Sequence, residues 1–244
     1  GDLESYSEDG RLLYRETAEE IFGHSTPGIV ELSFDTTGNP WYTDDNDMYR
    51  WSGDRFVKVP LLRGARISAF AFRSENELWV SRLGILERYR WDGRTLELLQ
   101  RIGEEEGMPL VESEGMKISP SGNIWLTTLR GLLEYDPKQN RARLFGIHDG
   151  LPGTDFYYGP PVLLDRNRAV ALSADGLAFF DPELGLAPAK PSLLSIESLS
   201  LSRDGGELAL DPSRPVRMLA GDRDLRVVPR LLSFSDPQSH RYRS

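Results

Sequence analysis

The sequence predicts an all-β chain: a partial β-propeller of about four and a half blades over residues 1–187, then the beginning of a β-sandwich over 188–244. Three observations carry this expectation. A tryptophan-bearing strand recurs at the period of a propeller blade. The 244 residues hold 23 Gly and 16 Pro, a turn-rich composition that suits short strands better than helices. Pro188-Ala189-Lys190-Pro191 then breaks the repeat as a stiff hinge.

The repeat is read from its second strand. Gly38-Asn39-Pro40-Trp41-Tyr42-Thr43, Glu75-Asn76-Glu77-Leu78-Trp79-Val80-Ser81 and Gly122-Asn123-Ile124-Trp125-Leu126-Thr127 share one pattern. Arg166-Asn167-Arg168-Ala169-Val170-Ala171-Leu172 is a fourth copy without its Trp. Positions 41, 79, 125 and 170 lie 38, 46 and 45 residues apart, and a period of about 40–50 is that of a four-stranded blade. An apolar strand precedes each copy, as at Ile29–Asp35, Ile67–Phe72, Gly115–Ser119 and Pro161–Asp165. A third strand follows, as at Met48–Trp51, Gly84–Tyr89, Gly131–Asp136 and Gly176–Asp181, with a fourth such as Arg141–Phe145. Near-continuous apolar runs fit inner strands packed on both faces, and the Trp is expected to wedge between neighbouring blades.

The two ends of the pattern are also informative. Gly1-Asp2-Leu3-Glu4-Ser5-Tyr6 aligns with Gly131-Leu132-Leu133-Glu134-Tyr135-Asp136, and Gly10–Tyr14 reads as the strand after it. Residues 1–28 are therefore expected to be a half blade, with further blades before it. Beyond the hinge, Leu194–Leu201 reads as a half-buried strand. Short strands are expected at Glu207–Leu210, Val216–Leu219 and Leu225–Val228, and a last segment at Leu231–Pro237. This pattern fits a β-sandwich, which takes about 100 residues, so 188–244 reads as one cut short.

Charge and composition exclude several functions. A net charge of −9 and a pI of about 5.0 argue against nucleic acid as a partner. From Arg203 onward eight Arg face six Asp and Glu, so the acidity resides in the first unit. The absence of Cys removes disulfides and thiol chemistry. No apolar run approaches the ~18 residues of a membrane span, so membrane attachment is expected only through segments outside this sequence.

No catalytic residue, cofactor or metal is predicted. His24, His148 and His240 are widely separated, and no Gly-x-Ser-x-Gly, His-Glu-x-x-His or phosphate-cradling loop occurs. Asp44-Asp45-Asn46-Asp47 has the oxygen-rich character of a Ca²⁺ ligand set, but not EF-hand spacing, and reads as a hairpin turn. Glu104-Glu105-Glu106 reads as a solvated loop, and Trp41, Trp79 and Trp125 as packing residues because they recur at the structural period. The non-repeating Asp155-Phe156-Tyr157-Tyr158-Gly159 is different. Aromatics there could stack on sugar rings, which makes Phe156, Tyr157 and Tyr158, together with Arg130 at a hairpin end, the candidate ligand-binding residues.

Three features together resemble a known family. They are the Gly-Asn-x-Trp-x-Thr strand at Gly38–Thr43 and Gly122–Thr127, the Gly-Leu-x-x-(Tyr/Phe)-Asp-Pro strand at Gly131–Pro137 and Gly176–Pro182, and the linker Ile147-His148-Asp149-Gly150-Leu151-Pro152. Glu105-Glu106-Gly107-Met108-Pro109 is similar to a second copy of that linker. These resemble the regulator-propeller repeats of bacterial two-component sensors, and Leu232–Arg243 resembles the start of the Y_Y_Y domain that follows them. The resemblance implies a periplasmic, non-catalytic sensing region for a small-molecule or oligosaccharide signal. It also implies a homodimer through the sandwich, and a histidine kinase or diguanylate cyclase output domain outside this sequence. The competing expectations are a propeller lyase, which needs a histidine, carboxylate and metal at the central funnel, and a protein-interaction scaffold.

Overall fold

The computed structural model describes residues 3–17, 20, 31–44, 46–60, 66–157, 159–184 and 193–232. The chain divides into two compact units, Gly1–Leu186 and Ala187–Ser244.

The first unit is a series of antiparallel sheets taken in chain order. A two-stranded sheet pairs β1 (Leu3–Tyr6) with β2 (Leu12–Glu16). Blade one holds β3 (Glu31–Phe34), β4 (Pro40–Thr43), β5 (Met48–Trp51) and β6 (Phe56–Val59). Blade two holds β7 (Ile67–Ser74), β8 (Glu77–Arg82), β9 (Ile85–Trp91) and β10 (Leu96–Ile102). Blade three holds β11 (Ser113–Ile118), β12 (Ile124–Thr128), β13 (Gly131–Asp136) and β14 (Arg141–Phe145). Blade four has β15 (Val162–Asp165), β16 (Arg168–Ser173) and β17 (Gly176–Phe180), three strands among the described residues. The first strands β3, β7 and β11 lie beside one another. Sheets that meet through their first strands radiate from a common centre, so the unit is a β-propeller.

The tryptophans hold neighbouring blades together. Trp41 is fully buried against Phe72 and Trp91 of blade two, with ring centroids 4.9 and 5.1 Å away. Trp79 meets Tyr135 of blade three at 5.7 Å, and Trp125 meets Phe180 of blade four at 4.5 Å. Each indole N–H has an acceptor: Asp35 Oδ2 and Glu77 Oε1, both at 2.9 Å, and the Pro182 carbonyl at 3.1 Å. Burying so large a ring without an orphaned donor is what makes this position strongly stabilising. Blade four carries Val170 there, and Val162, Leu164, Leu172, Leu177 and Phe179 on the same side of its sheet stay exposed.

The hydroxyl two residues beyond Trp79 and Trp125 forms a second tie, whereas Thr43 Oγ1, two beyond Trp41, is buried without a hydrogen-bond partner among the described residues. Ser81 Oγ accepts from Ser113 Oγ at 2.8 Å, and Ser68 Oγ lies 3.0 Å from Ser113 Oγ, so blades two and three share a buried hydroxyl cluster. Thr127 Oγ1 donates to the Gly159 carbonyl at 2.9 Å, on the linker into blade four. That linker runs so close to β11 that a Cβ at Gly115 would sit 2.2 Å from the Pro160 nitrogen.

Glu134 adds a pH-dependent element between blades three and four. It is buried on β13 and its carboxylate accepts from Asn123 Nδ2 at 2.9 Å. Burial, aided by the nearby Asp136 charge, pushes its carboxyl up to about 7. A raised carboxyl favours the native state at low pH, and that contribution fades as pH climbs from about 4.5 through 7. Glu134→Gln is therefore expected to match the wild type in denaturant unfolding at about pH 4, below the ordinary carboxyl value. At pH 8 it should exceed the wild type by roughly 1–3 kcal/mol. Equal stability at pH 8 would contradict this account.

The half blade corrects one detail of the sequence alignment. Ser5 pairs with Tyr14, whose ring packs edge-on to Trp51 of blade one at 4.6 Å. Leu3 and Ser5 therefore face blade one, and Leu3 is the counterpart of Leu132, one residue off the initial register.

The second unit is one three-stranded antiparallel sheet among the described residues, ordered β19 (Gly206–Leu210), β18 (Leu193–Arg203), β20 (Arg223–Leu232). The expected strands at Leu225–Val228 and Leu231 onward are fused in β20, and Val216–Leu219 is not a strand. Instead the Arg203 guanidinium forks onto both oxygens of Asp222 at 2.7 Å, and Asp222 Oδ2 also accepts the Leu219 N–H. These bonds hold the Asp222 carboxyl down to about 2 and fix 219–222 as the turn into β20. A sandwich needs a second sheet against this one, and the described residues supply one sheet.

Candidate functional site

The loops at one end of blades three and four bring together residues far apart in sequence. The link from blade three to blade four begins with a 3-10 turn, Ile147–Asp149, closed by Gly150 at φ 96°. Asp149 accepts the Gly146 N–H at 2.9 Å and pairs with Arg143. The link from blade two to three is built the same way, over Glu104–Glu106 with Gly107 at φ 86° and Glu106 accepting the Gly103 N–H. The acidic run 104–106, expected as a loop, is thus a turn with a defined carboxylate contact. His148 stands exposed in its turn, and the neighbouring Asp149 carboxylate is already engaged.

Beyond the turn, the chain is bound to two hairpins. The Phe156 N–H donates to the Thr128 carbonyl at 3.1 Å, and the Ala174 N–H to the Asp155 carbonyl at 2.9 Å. Thr128 Oγ1 in turn donates to the Gly131 carbonyl and accepts the Arg130 N–H at 3.0 Å, setting the tight hairpin that presents Arg130 to solvent. The hairpin carrying Arg130 and the loop carrying Tyr157 are therefore joined by a backbone hydrogen bond, Phe156 N–H to the Thr128 carbonyl.

The candidate residues divide by burial. Phe156 is 0% exposed, enclosed by Trp125, Leu132, Ala171 and Ala178. It is a packing residue, which corrects its expected place among ligand-facing aromatics: the apolar gap between blades three and four takes the ring. Tyr157, its neighbour, is 60% exposed, and Tyr158 lies outside the described residues. Phe156 thus anchors the loop and Tyr157 displays a ring beside Arg130's hairpin. Such a surface offers a flat aromatic face and a guanidinium donor, suited to the apolar face and hydroxyls of a sugar.

Sequence reasoning missed exposed aliphatic residues at and beside the hairpin tips of blades two and three. Leu129 is half-exposed at the tip of the Arg130 hairpin, and Leu83 occupies the corresponding tip in blade two. Leu110, strongly exposed, stands next to that tip, near Gly84. An apolar residue at a hairpin tip, where polar residues are usual, is the signal that marks them.

The other acidic candidate behaves as a turn. Asp44 Oδ1 accepts the N–H groups of Asn46 at 2.9 Å and Asp47 at 2.7 Å, and Lys58 pairs with Asp47. Asp45, His24 and His240 lie outside the described residues. Among the described residues no group of three or more His, Asp or Glu is placed to hold a metal, and no helix is long and apolar enough to cross a membrane.

No family model matches the chain, and no curated protein matches it significantly. Solved structures match in fold. The extracellular domain assigned to the hybrid two-component system BT3049 of B. thetaiotaomicron has a TM-score of 0.56 at 16% identity, over 82% of this chain and 28% of that one. The corresponding domain of BT4673 from the same organism gives 0.57 at 11% identity, over 82% and 26%. The gluconolactonase XC5397 of Xanthomonas campestris gives 0.52 at 16% identity, over 73% and 64%. At these identities each likeness is one of fold. The chain spans about a quarter of the length of the two extracellular domains.

Proposed function

We propose that this chain is an extracytoplasmic ligand-sensing region of a bacterial two-component signalling protein, non-catalytic in itself, with a small molecule of oligosaccharide type as its signal. The observation that carries the reading is the anchored display of Tyr157 beside the Arg130 hairpin, with Phe156 buried beneath it. Its support is the likeness of the fold to two extracellular domains of such systems and the ordered repeat, hinge and tail of the sequence. The proposal includes a periplasmic location and a 188–244 unit that begins a Y_Y_Y-type sandwich and mediates a homodimer. The kinase or cyclase output belongs to segments outside this sequence. Sensing would operate as a shift between two arrangements, favouring the one that binds the signal better.

The test is calorimetric titration of the chain with a panel of oligosaccharides. At least one is expected to bind saturably without being consumed. Tyr157→Ala and Arg130→Ala should each weaken it by roughly 10-fold, about 1.4 kcal/mol. A sugar that binds both variants as tightly as the wild type would move the site elsewhere. A panel with no binder would defeat the sensing reading, and turnover of a bound sugar would favour the enzyme reading that the gluconolactonase fold represents.

A further inference from the structure

A cleft of about 490 Å³ lies between blades one and two, at the end that carries the turns after their first and third strands. Its walls include Asp35, Asn39, Arg50, Glu75, Trp91 and Asp92. Arg50 on β5 stands directly opposite Trp41 on β4, so both side chains face blade two. The Arg50 guanidinium lies over the Trp91 indole, 5.6 Å from the ring centroid. Trp91 is itself fixed edge-on to Trp41 at 5.1 Å. The cation is thus pre-set on a rigid aromatic support.

The repeat shows what Arg50 lacks. In blades two and three a pair forms between the third-strand residue opposite the tryptophan and the second-strand residue two before it. In blade two the pair is Arg88 and Glu77, 2.7 Å apart. In blade three it is Glu134 and Asn123, joined at 2.9 Å. Blade one combines the guanidinium of the one with the amide of the other, Arg50 with Asn39, and so has no carboxylate at this place. Asn39 Nδ2 turns to the Trp51 carbonyl at 3.0 Å. Among the described residues Arg50 makes no hydrogen bond or ion pair, only its contact with the Trp91 ring.

The carboxylates around the cleft are otherwise occupied or peripheral. Asp35 Oδ1 accepts the N–H groups of Thr37 and Asn39, and Oδ2 accepts the Trp41 indole. Asp92 accepts the N–H groups of Arg94 and Thr95, and Glu75 stands exposed on the rim. Together these three leave the cleft more negative than positive, so a plain anion is repelled by the rim as it is drawn to Arg50. A ligand that brings a cationic group along with its carboxylate meets both signs.

We propose that this cleft binds an amino carboxylate, a small zwitterion of the amino-acid class. Its carboxylate takes the place that Glu77 holds in blade two and accepts the forked donors of Arg50. Its ammonium faces the rim carboxylates Glu75 and Asp92. The site lies between two four-stranded blades, apart from the Tyr157 loop, and is independent of the sugar-binding reading.

The test is calorimetric titration of the chain with glycine, L-alanine, L-serine, L-leucine and γ-aminobutyrate. At least one is expected to bind saturably. Its methyl ester, without the carboxylate charge, and its N-acetyl form, without the ammonium, should each bind roughly 10-fold or more weakly. Arg50→Gln should weaken the parent compound to the same degree. Asn39→Glu supplies the carboxylate from within the sheet, as Glu77 does in blade two. It is expected to abolish binding with no loss of stability in thermal unfolding, which separates a filled site from a damaged fold. Tyr157→Ala should bind the zwitterion as the wild type does, and a loss there would overturn the proposal by moving the site to that loop. It is equally overturned if no member of the panel binds, or if the ester or the N-acetyl form binds as tightly as the parent. Unchanged affinity in Arg50→Gln or in Asn39→Glu has the same consequence.

Discussion

Trp79→Ala is expected to destabilise the first unit by about 3–5 kcal/mol, the cost of removing a buried aromatic whose space cannot collapse. The indole is 1% exposed in the cluster joining blades two and three, with Ala69, Ala71, Leu86 and Ile102 on one side and Met116, Ile124, Leu126 and Leu133 on the other. These residues stand on paired strands whose spacing is set by backbone hydrogen bonds, so they cannot close the gap. Truncation also leaves Glu77 Oε1 without the indole donor, though Arg73 and Arg88 still pair with that carboxylate. Chemical denaturation of the wild type, Trp79→Ala and Trp79→Phe is the measurement. Phenylalanine should recover a substantial part of the loss, because it restores apolar volume without the N–H. A loss below about 1 kcal/mol for alanine would mean that this residue is not a wedge between blades.

The second large effect concerns a buried charge pair. Arg82 and Glu87, 1% and 3% exposed, meet through Nε and Oε2 at 2.9 Å. Tyr89 donates its hydroxyl to the same oxygen at 2.7 Å, and Arg101 approaches Oε1 from the surface at 3.4 Å. Truncating Glu87 takes from the buried Arg82 guanidinium the carboxylate it meets at 2.9 Å, and from Tyr89 its acceptor, so Glu87→Ala should cost about 3–5 kcal/mol. Replacing the whole polar set by apolar residues of similar size removes that penalty. The triple variant Arg82→Met, Glu87→Leu, Tyr89→Phe is accordingly expected within about 2 kcal/mol of the wild type. Denaturant unfolding of both variants decides the matter. A triple variant as unstable as Glu87→Ala would show that the pair contributes net stability and is not simply costly to break.

The propeller was legible because its determinants are local and recurrent. The Asn-x-Trp-x-Thr strand states its own second position in the blade, its buried face and its turn. The structure places Trp41, Trp79 and Trp125 at three successive interfaces as that pattern implies. The pair of strands β1 and β2 was legible as strands but not in register, since the short run Leu3-Glu4-Ser5-Tyr6 does not say which face is inward. Only the contact of Tyr14 with Trp51 settles it. In the second unit, alternating Val, Leu and Arg residues are compatible with strand at 216–219 and at 225–228 alike. What separates them is Arg203, distant in sequence, which captures Asp222 and turns the chain between them. The candidate site was half legible. An aromatic run outside the repeat marked the loop, but burial of Phe156 and display of Tyr157 depend on where Thr128 receives the backbone. No sequence pattern reveals that hydrogen bond.

Each of blades one to three packs on the next through a buried indole, and the joins of blades two with three and three with four add a hydroxyl tie. Cohesion in such a stack is a series of separate couplings and not a single shared interior. A disturbance at the Tyr157 loop is thus felt first across the join between blades three and four, where Trp125, Glu134 and the Gly159 carbonyl meet. It reaches blade one only by passing through two further joins, each able to absorb it. Communication along such a series weakens with each join, and is strongest between whichever blades adjoin the stimulus.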